Sequence, residues 1–205
     1  MTMLDRDIRV YKEKVLNPVA EAINGGIHPT TITLLSGVFG IAAAIAAWQQ
    51  MYWLGLGFWV VNRILDGLDG TVARLTNQQS DLGGYIDIMV DDVVYSVVVL
   101  AFGAGINTPA AWLATAFLLA TYRINATSWM YLSSLLEKRA EGAKNNDEFT
   151  SVTMPTGLIE GTETVIFYIL FYLLPGFITP LFWLFGLLVT VTAIQRVVWA
   201  TKVFR

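Results

Sequence analysis

Long apolar stretches alternate with short polar breaks along most of this chain. Six runs stand out, near residues 31–50, 52–75, 82–105, 109–135, 157–175 and 178–202. About 20 residues suffice to cross the hydrocarbon core of a bilayer, so each run is long enough to span it. The breaks fall at Gln49-Gln50, residues 77–81, residues 105–107, the polar stretch 137–153, and Pro175-Gly176. The two longest runs are expected to project beyond the bilayer as helices. Residues 1–24 have a different rhythm. Leu4, Ile8, Tyr11, Val15 and Val19 recur at helical spacing, with Asp5, Arg6, Arg9, Lys12 and Lys14 between them. That pattern predicts an amphipathic helix lying along the membrane surface, kinked or restarted at Pro18. A turn follows at residues 25–30, where Thr30 or Thr31 is expected to cap the next helix. The expected architecture is an all-α integral membrane protein, with six transmembrane helices after an N-terminal amphipathic surface helix. Residues 1–30 form the juxtamembrane part and residues 31–205 the transmembrane domain. The first thirty residues lack the apolar core of a cleaved signal peptide.

Composition sharpens this picture. Of 205 residues, 55% are hydrophobic and 14% charged, against about a quarter charged in a soluble domain. A net charge of −3 argues against nucleic acid as a partner. Without cysteine there is no disulfide, thiolate metal site or thiol nucleophile. Basic residues fall on alternate sides of the spans. Arg6, Arg9, Lys12 and Lys14 precede span one, Arg74 ends span two, and Lys138, Arg139 and Lys144 follow span four. Arg196, Lys202 and Arg205 close the chain, while the intervening loops near 50, 106 and 176 carry no Lys or Arg. The positive-inside rule then puts both termini in the cytoplasm. Arg63 and Arg123 are left inside spans.

Ionisable groups inside a span are costly and call for a functional explanation. Spans two and three carry Asp66, Asp69, Asp87, Asp91 and Asp92. Asp66 and Asp69 are three apart and Asp87 and Asp91 four apart, so each pair shares one helix face. Asp66 precedes the turn near residue 76 by roughly 15 Å of helix rise, and Asp91 follows the restart near 82 by roughly 14 Å. The four acids can therefore meet at one depth, near the cytoplasmic surface. In a low-dielectric place they repel unless something positive joins them. Oxygen ligands without His or Cys select Mg²⁺, Mn²⁺ or Ca²⁺, and two such ions suit a diphosphate. Arg74 is placed to hold a phosphate oxygen. Gly67, Gly70, Gly83 and Gly84 remove side-chain bulk around the acids. Asp92 points about 100° away from Asp91 and is expected to pair with Arg63 or Arg123.

The run Asp66-Gly-Leu-Asp69-Gly70-Thr-Val-Ala73-Arg74, then eight residues, Gly83, three residues, Asp87, three residues, Asp91 resembles the signature of the CDP-alcohol phosphotransferase family at every defining position. Pro29-Thr30-Thr31-Ile32-Thr33 looks like the family's Pro-Asn-x-x-Thr lead into the first span, with Thr30 where Asn is usual. The resemblance covers nearly the whole chain. It implies an enzyme that takes CDP-diacylglycerol or another CDP-alcohol in a cleft open to the cytoplasm. It implies Asp66, Asp69, Asp87 and Asp91 as ligands of Mg²⁺ or Mn²⁺, as two ions, with Asp91 also the general base. Gly70, Ala73, Arg74 and Thr33 would bind the CDP donor. Membrane lipids and a second copy of the chain, as a homodimer, would be its partners, in a bacterial or archaeal cytoplasmic membrane. The residues themselves support the same chemistry. A positioned carboxylate can take the proton of an alcohol hydroxyl as it attacks the β-phosphorus and CMP leaves. The only histidine, His28, lies in a turn and is expected to be structural or interfacial.

Polar groups in spans four and five mark a candidate pocket for the acceptor alcohol: Arg123, Asn125, Glu160 and Glu163. The two glutamates would bind acceptor hydroxyls or pair with Arg123 or Arg63. Two other readings compete. Asn62-x-x-x-Asp66-x-x-Asp69 faintly resembles a membrane prenyltransferase's diphosphate site, but no second acidic motif follows. A divalent-cation transporter would use intramembrane carboxylates, but would not require Arg74 or the glycines.

Overall fold

The structure is a computed structural model that describes residues 16–23, 26–139 and 157–204. Every described element is helical. Residues 16–23 form α1, followed by α2 (Pro29–Trp48), α3 (Tyr52–Leu75), α4 (Asp81–Ile106), α5 (Pro109–Lys138), α6 (Gly161–Leu173) and α7 (Ile178–Val203). Most of the expected surface helix, and most of the polar stretch 137–153, lie outside the described residues. What is described of the former is helical through Pro18, with Leu16 and Ala20 buried against Ile32, Leu68 and Val72.

Helix ends follow local chemistry. The first span begins earlier than expected, because Pro29 occupies the first helical turn, where its missing N–H is no loss. The cap is His28, whose Nδ1 accepts from Thr30 N at 3.3 Å, rather than Thr30 or Thr31. Gln50, Asn77 and Asn107 adopt left-handed backbone at three of the expected breaks. Ser80 caps α4 by accepting from Gly83 N at 3.0 Å. The fifth expected span starts, as α6, at Gly161 rather than 157, because side chains claim the preceding amides. Leu158 N donates to Gln195 Oε1 and Ile159 N to Thr192 Oγ1, both at 2.8 Å.

Three described segments are by themselves long and apolar enough to cross a membrane: Pro29–Trp48, Asp81–Ile106 and Pro175–Val203. The expected six spans are therefore matched in helix position, but only three of them in apolar length. α3 carries Arg63, Asp66, Asp69 and Arg74, α5 is interrupted by Arg123 and Asn125, and α6 has only 13 residues. Large apolar side chains such as Leu34, Val38, Trp53 and Leu113 lie exposed, as lipid-facing positions should.

The chain divides into two compact units. One holds the described residues through Thr108 together with Tyr172–Pro175. There α2 packs on both α3 and α4. Asn62 is wholly buried and clamps α3 to α2: its Nδ2 donates to Ser36 O at 2.8 Å and to Ser36 Oγ at 2.9 Å. Such interhelical bonds are favoured where no water competes. Against α4, Gly40 gives the close approach, since a Cβ there would fall 2.5 Å from Val94 Cγ2. Gly40→Val is accordingly expected to destabilise the folded protein by about 1–3 kcal/mol through overpacking. A lowered thermal unfolding midpoint in detergent would show it. The other unit holds the described residues of Pro109–Phe171 and those from Gly176 onward. α5 packs on α7 there, over a buried cluster of Phe171, Phe182 and Phe185, and Tyr122 Oη donates to Tyr168 Oη at 3.0 Å.

Candidate active site

The acids sit where α3 ends and α4 begins. The turn between these helices is short because Thr76 and left-handed Asn77 close α3 while Ser80 opens α4. Asp69 is buried, and Asp66, Asp87 and Asp91 are partly buried. Two of the four carboxylates are tied together by Arg63. Its Nη2 donates to Asp91 Oδ1 at 2.8 Å, and its Nη1 lies 3.7 Å from Asp66 Oδ2. Asp69 is held from a third helix: the Thr33 hydroxyl of α2 donates to its Oδ2 at 2.6 Å. That is a short, charge-assisted bond. Asp87 stands one turn before Asp91 on α4.

Arg63 is the residue whose role the sequence concealed. Offered as one partner for Asp92 or for Glu160 and Glu163, it turns instead to Asp91 and Asp66, while Asp92 is exposed. The guanidinium lies 4.9 Å from the Trp59 ring centroid and 5.0 Å from that of Tyr95. Its Nε donates to Asn62 Oδ1 at 2.7 Å and its Nη1 to Tyr95 Oη at 2.8 Å. A signal existed in the spacing. Trp59 and Arg63 are four apart on α3, and Asp91 and Tyr95 four apart on α4, which is the separation of facing neighbours on a helix.

Arg74 is partly buried, with Nη2 at 3.4 Å from Thr71 Oγ1. A Cβ at Gly70 would come 3.3 Å from Arg74 Nη1, so the glycine leaves the guanidinium its room. Ala73 is partly buried beside it.

The acceptor-pocket residues have other partners in the structure. Glu163 Oε2 accepts from Glu160 N, and Glu160 Oε1 accepts from Gly157 N, both at 3.0 Å. Glu163 thus makes the N3-to-N-cap half of a capping box at the start of α6, and Glu160 ties down the loop just before it. Arg123 is exposed. Asn125 Oδ1 accepts from Nη1 of Arg196 at 2.6 Å, so this α7 arginine, which the sequence placed only among the basic residues at the chain's end, is buried.

The oxygen-only donors of Asp66, Asp69, Asp87 and Asp91 suit a hard divalent cation. Among the described residues, no three such side chains stand close enough together to hold one. The guanidinium of Arg63 instead supplies the positive charge at two of them.

Known proteins resemble this chain in sequence and in fold. The profile of the CDP-alcohol phosphatidyltransferase family matches residues 26–199. The chain is 30% identical over 198 residues to Inner membrane protein YnjF of Escherichia coli, covering 95% of this chain and 94% of that protein. It is 30% identical over 146 residues to the CDP-diacylglycerol–serine O-phosphatidyltransferase of Mycobacterium leprae, covering 67% of this chain and 46% of that enzyme. The fold matches the phosphatidylinositol phosphate synthase of Mycobacterium tuberculosis with CDP-DAG bound, with a TM-score of 0.70 and 19% identity, over 90% of this chain and 92% of that one. The same enzyme in complex with manganese and citrate matches with a TM-score of 0.69 and 19% identity, over 89% of this chain and 87% of that one.

The chain belongs to the CDP-alcohol phosphatidyltransferase family. It is a membrane protein and an enzyme of that class, a transferase of phospho-alcohol groups.

Proposed function

We propose that this enzyme moves a phosphatidyl group from CDP-diacylglycerol to a small hydroxyl-bearing acceptor and releases CMP. The observation that carries the reading is the pairing of acids from α3 and α4, with Arg74 one helical turn beyond Gly70. Asp66, Asp69, Asp87 and Asp91 would hold Mg²⁺ or Mn²⁺. When bound, such an ion neutralises diphosphate charge and stabilises the departing phosphate. Thr33 fixes the rotamer of Asp69 through its hydroxyl. Arg74 binds the donor diphosphate through its planar fork of N–H groups. Gly70 and Ala73 keep the wall beside it low enough for the nucleotide.

Asp91 accepts the proton of the acceptor hydroxyl as the oxygen attacks the β-phosphorus of the donor. The bond from that phosphorus to the bridging oxygen breaks, and CMP leaves with the bonding pair. The new phosphodiester stays on the lipid, and no covalent enzyme intermediate forms. The charge alternation along the chain supports a site at the cytoplasmic face.

The test is direct. Purified protein with Mg²⁺ or Mn²⁺, CDP-diacylglycerol and a panel of small alcohols should release CMP and yield a new phospholipid, identified by mass. Cation uptake into vesicles with no CMP released under any acceptor would overturn the reading and favour a transporter.

A further inference from the structure

Arg63 is anchored by groups that are not part of the acid set. Asn62 commits its Nδ2 to Ser36, which fixes the orientation of its amide, so that Oδ1 faces the Arg63 Nε. Trp59 and Tyr95 present their rings to the guanidinium, and the Tyr95 hydroxyl oxygen accepts from Nη1. Side-chain exposure is 11% for Arg63, against 22% for Asp66 and 32% for Asp91. The cation is therefore more deeply set than the carboxylates it touches. If it released Asp91, it would keep two neutral hydrogen-bond acceptors and two ring faces, so its own desolvation would stay compensated. Two carboxylates at this depth need a positive neighbour, and the fork of Arg63 provides one.

We propose that Arg63 is a built-in counter-cation that competes with the divalent metal for Asp66 and Asp91. It is a positioning residue. It holds α3 and α4 in register while the metal is absent, and it weakens metal binding by occupying carboxylate oxygens and by like-charge repulsion. The inference rests on the reading of these acids as metal ligands. Competition of this kind is a coupling free energy between two cations and is reciprocal. Removing Arg63 must then tighten the metal, and adding metal must loosen Arg63 from Asp91.

The experiment titrates Mn²⁺ alone into the full-length protein in detergent, following the free-ion signal by electron paramagnetic resonance. Wild type is compared with Arg63→Met and Arg63→Lys. Arg63→Met is expected to bind Mn²⁺ roughly tenfold more tightly, within the usual range of such couplings. Arg63→Lys should shift the same way by less, since an ammonium cannot fork across two carboxylates. In chelator, Arg63→Met should unfold at a lower temperature than wild type and gain more from added Mn²⁺. If Arg63→Met cannot be purified, the sign of the shift in Arg63→Lys decides. Equal or weaker Mn²⁺ binding by the variants, with wild type still binding, overturns the competition while leaving the metal ligands standing. No Mn²⁺ binding by any form overturns both.

Discussion

Replacing Asp91 by Asn is expected to slow turnover by about 10²–10⁴-fold, the usual contribution of a general base. An amide has nearly the shape of a carboxylate and can still accept from Arg63, so the contact at 2.8 Å has a substitute and the fold should persist. What the amide lacks is the ability to take a proton from the acceptor hydroxyl. CDP-diacylglycerol binding, measured by calorimetry in detergent, should fall much less than CMP release. Turnover near wild type in this variant would remove Asp91 from the base's role.

The second large effect concerns the metal. Asp87→Asn is expected to weaken Mn²⁺ binding by at least about 100-fold, the upper end of what supporting groups around metals contribute. Unchanged Mn²⁺ affinity in Asp87→Asn would take it out of the ligand set. Asp66→Asn should also weaken the metal, but it removes a charge from beside Arg63 at the same time.

The helices were legible because apolar runs and their breaks are written one after another along the chain. Pro29, Ser80 and Asn107 stop or start helices by local geometry, which a sequence displays directly. The acids were legible because carboxylates in apolar runs are rare. The partners of those acids were not. Whether Arg63 faces Asp91 or Asp92 depends on the rotation of α4 against α3, and residue spacing within one helix does not encode that rotation. For Glu160 and Glu163 the spacing likewise left the partners open. A polar residue near the start of an apolar helix serves equally as a pocket wall or as a cap, and only the path of residues 157–160 decides which. Arg196 read as one more topology-setting charge because it sits near the chain's basic end, where a lysine or arginine is ordinary. Its burial against Asn125 comes from the packing of α7 on α5.

Asp66, Asp69, Arg74, Asp87 and Asp91 all come from one stretch of 26 consecutive residues, 66–91, bent once at the turn capped by Ser80. Insertions or deletions before Pro29 or beyond Ile106 leave the mutual register of these side chains alone. One residue added inside α4 ahead of Asp87 would swing Asp87 and Asp91 about 100° around their axis, away from Arg63. Chain length can thus change before Pro29 or beyond Ile106 without disturbing how these side chains meet, whereas a change in length within 66–91 breaks it.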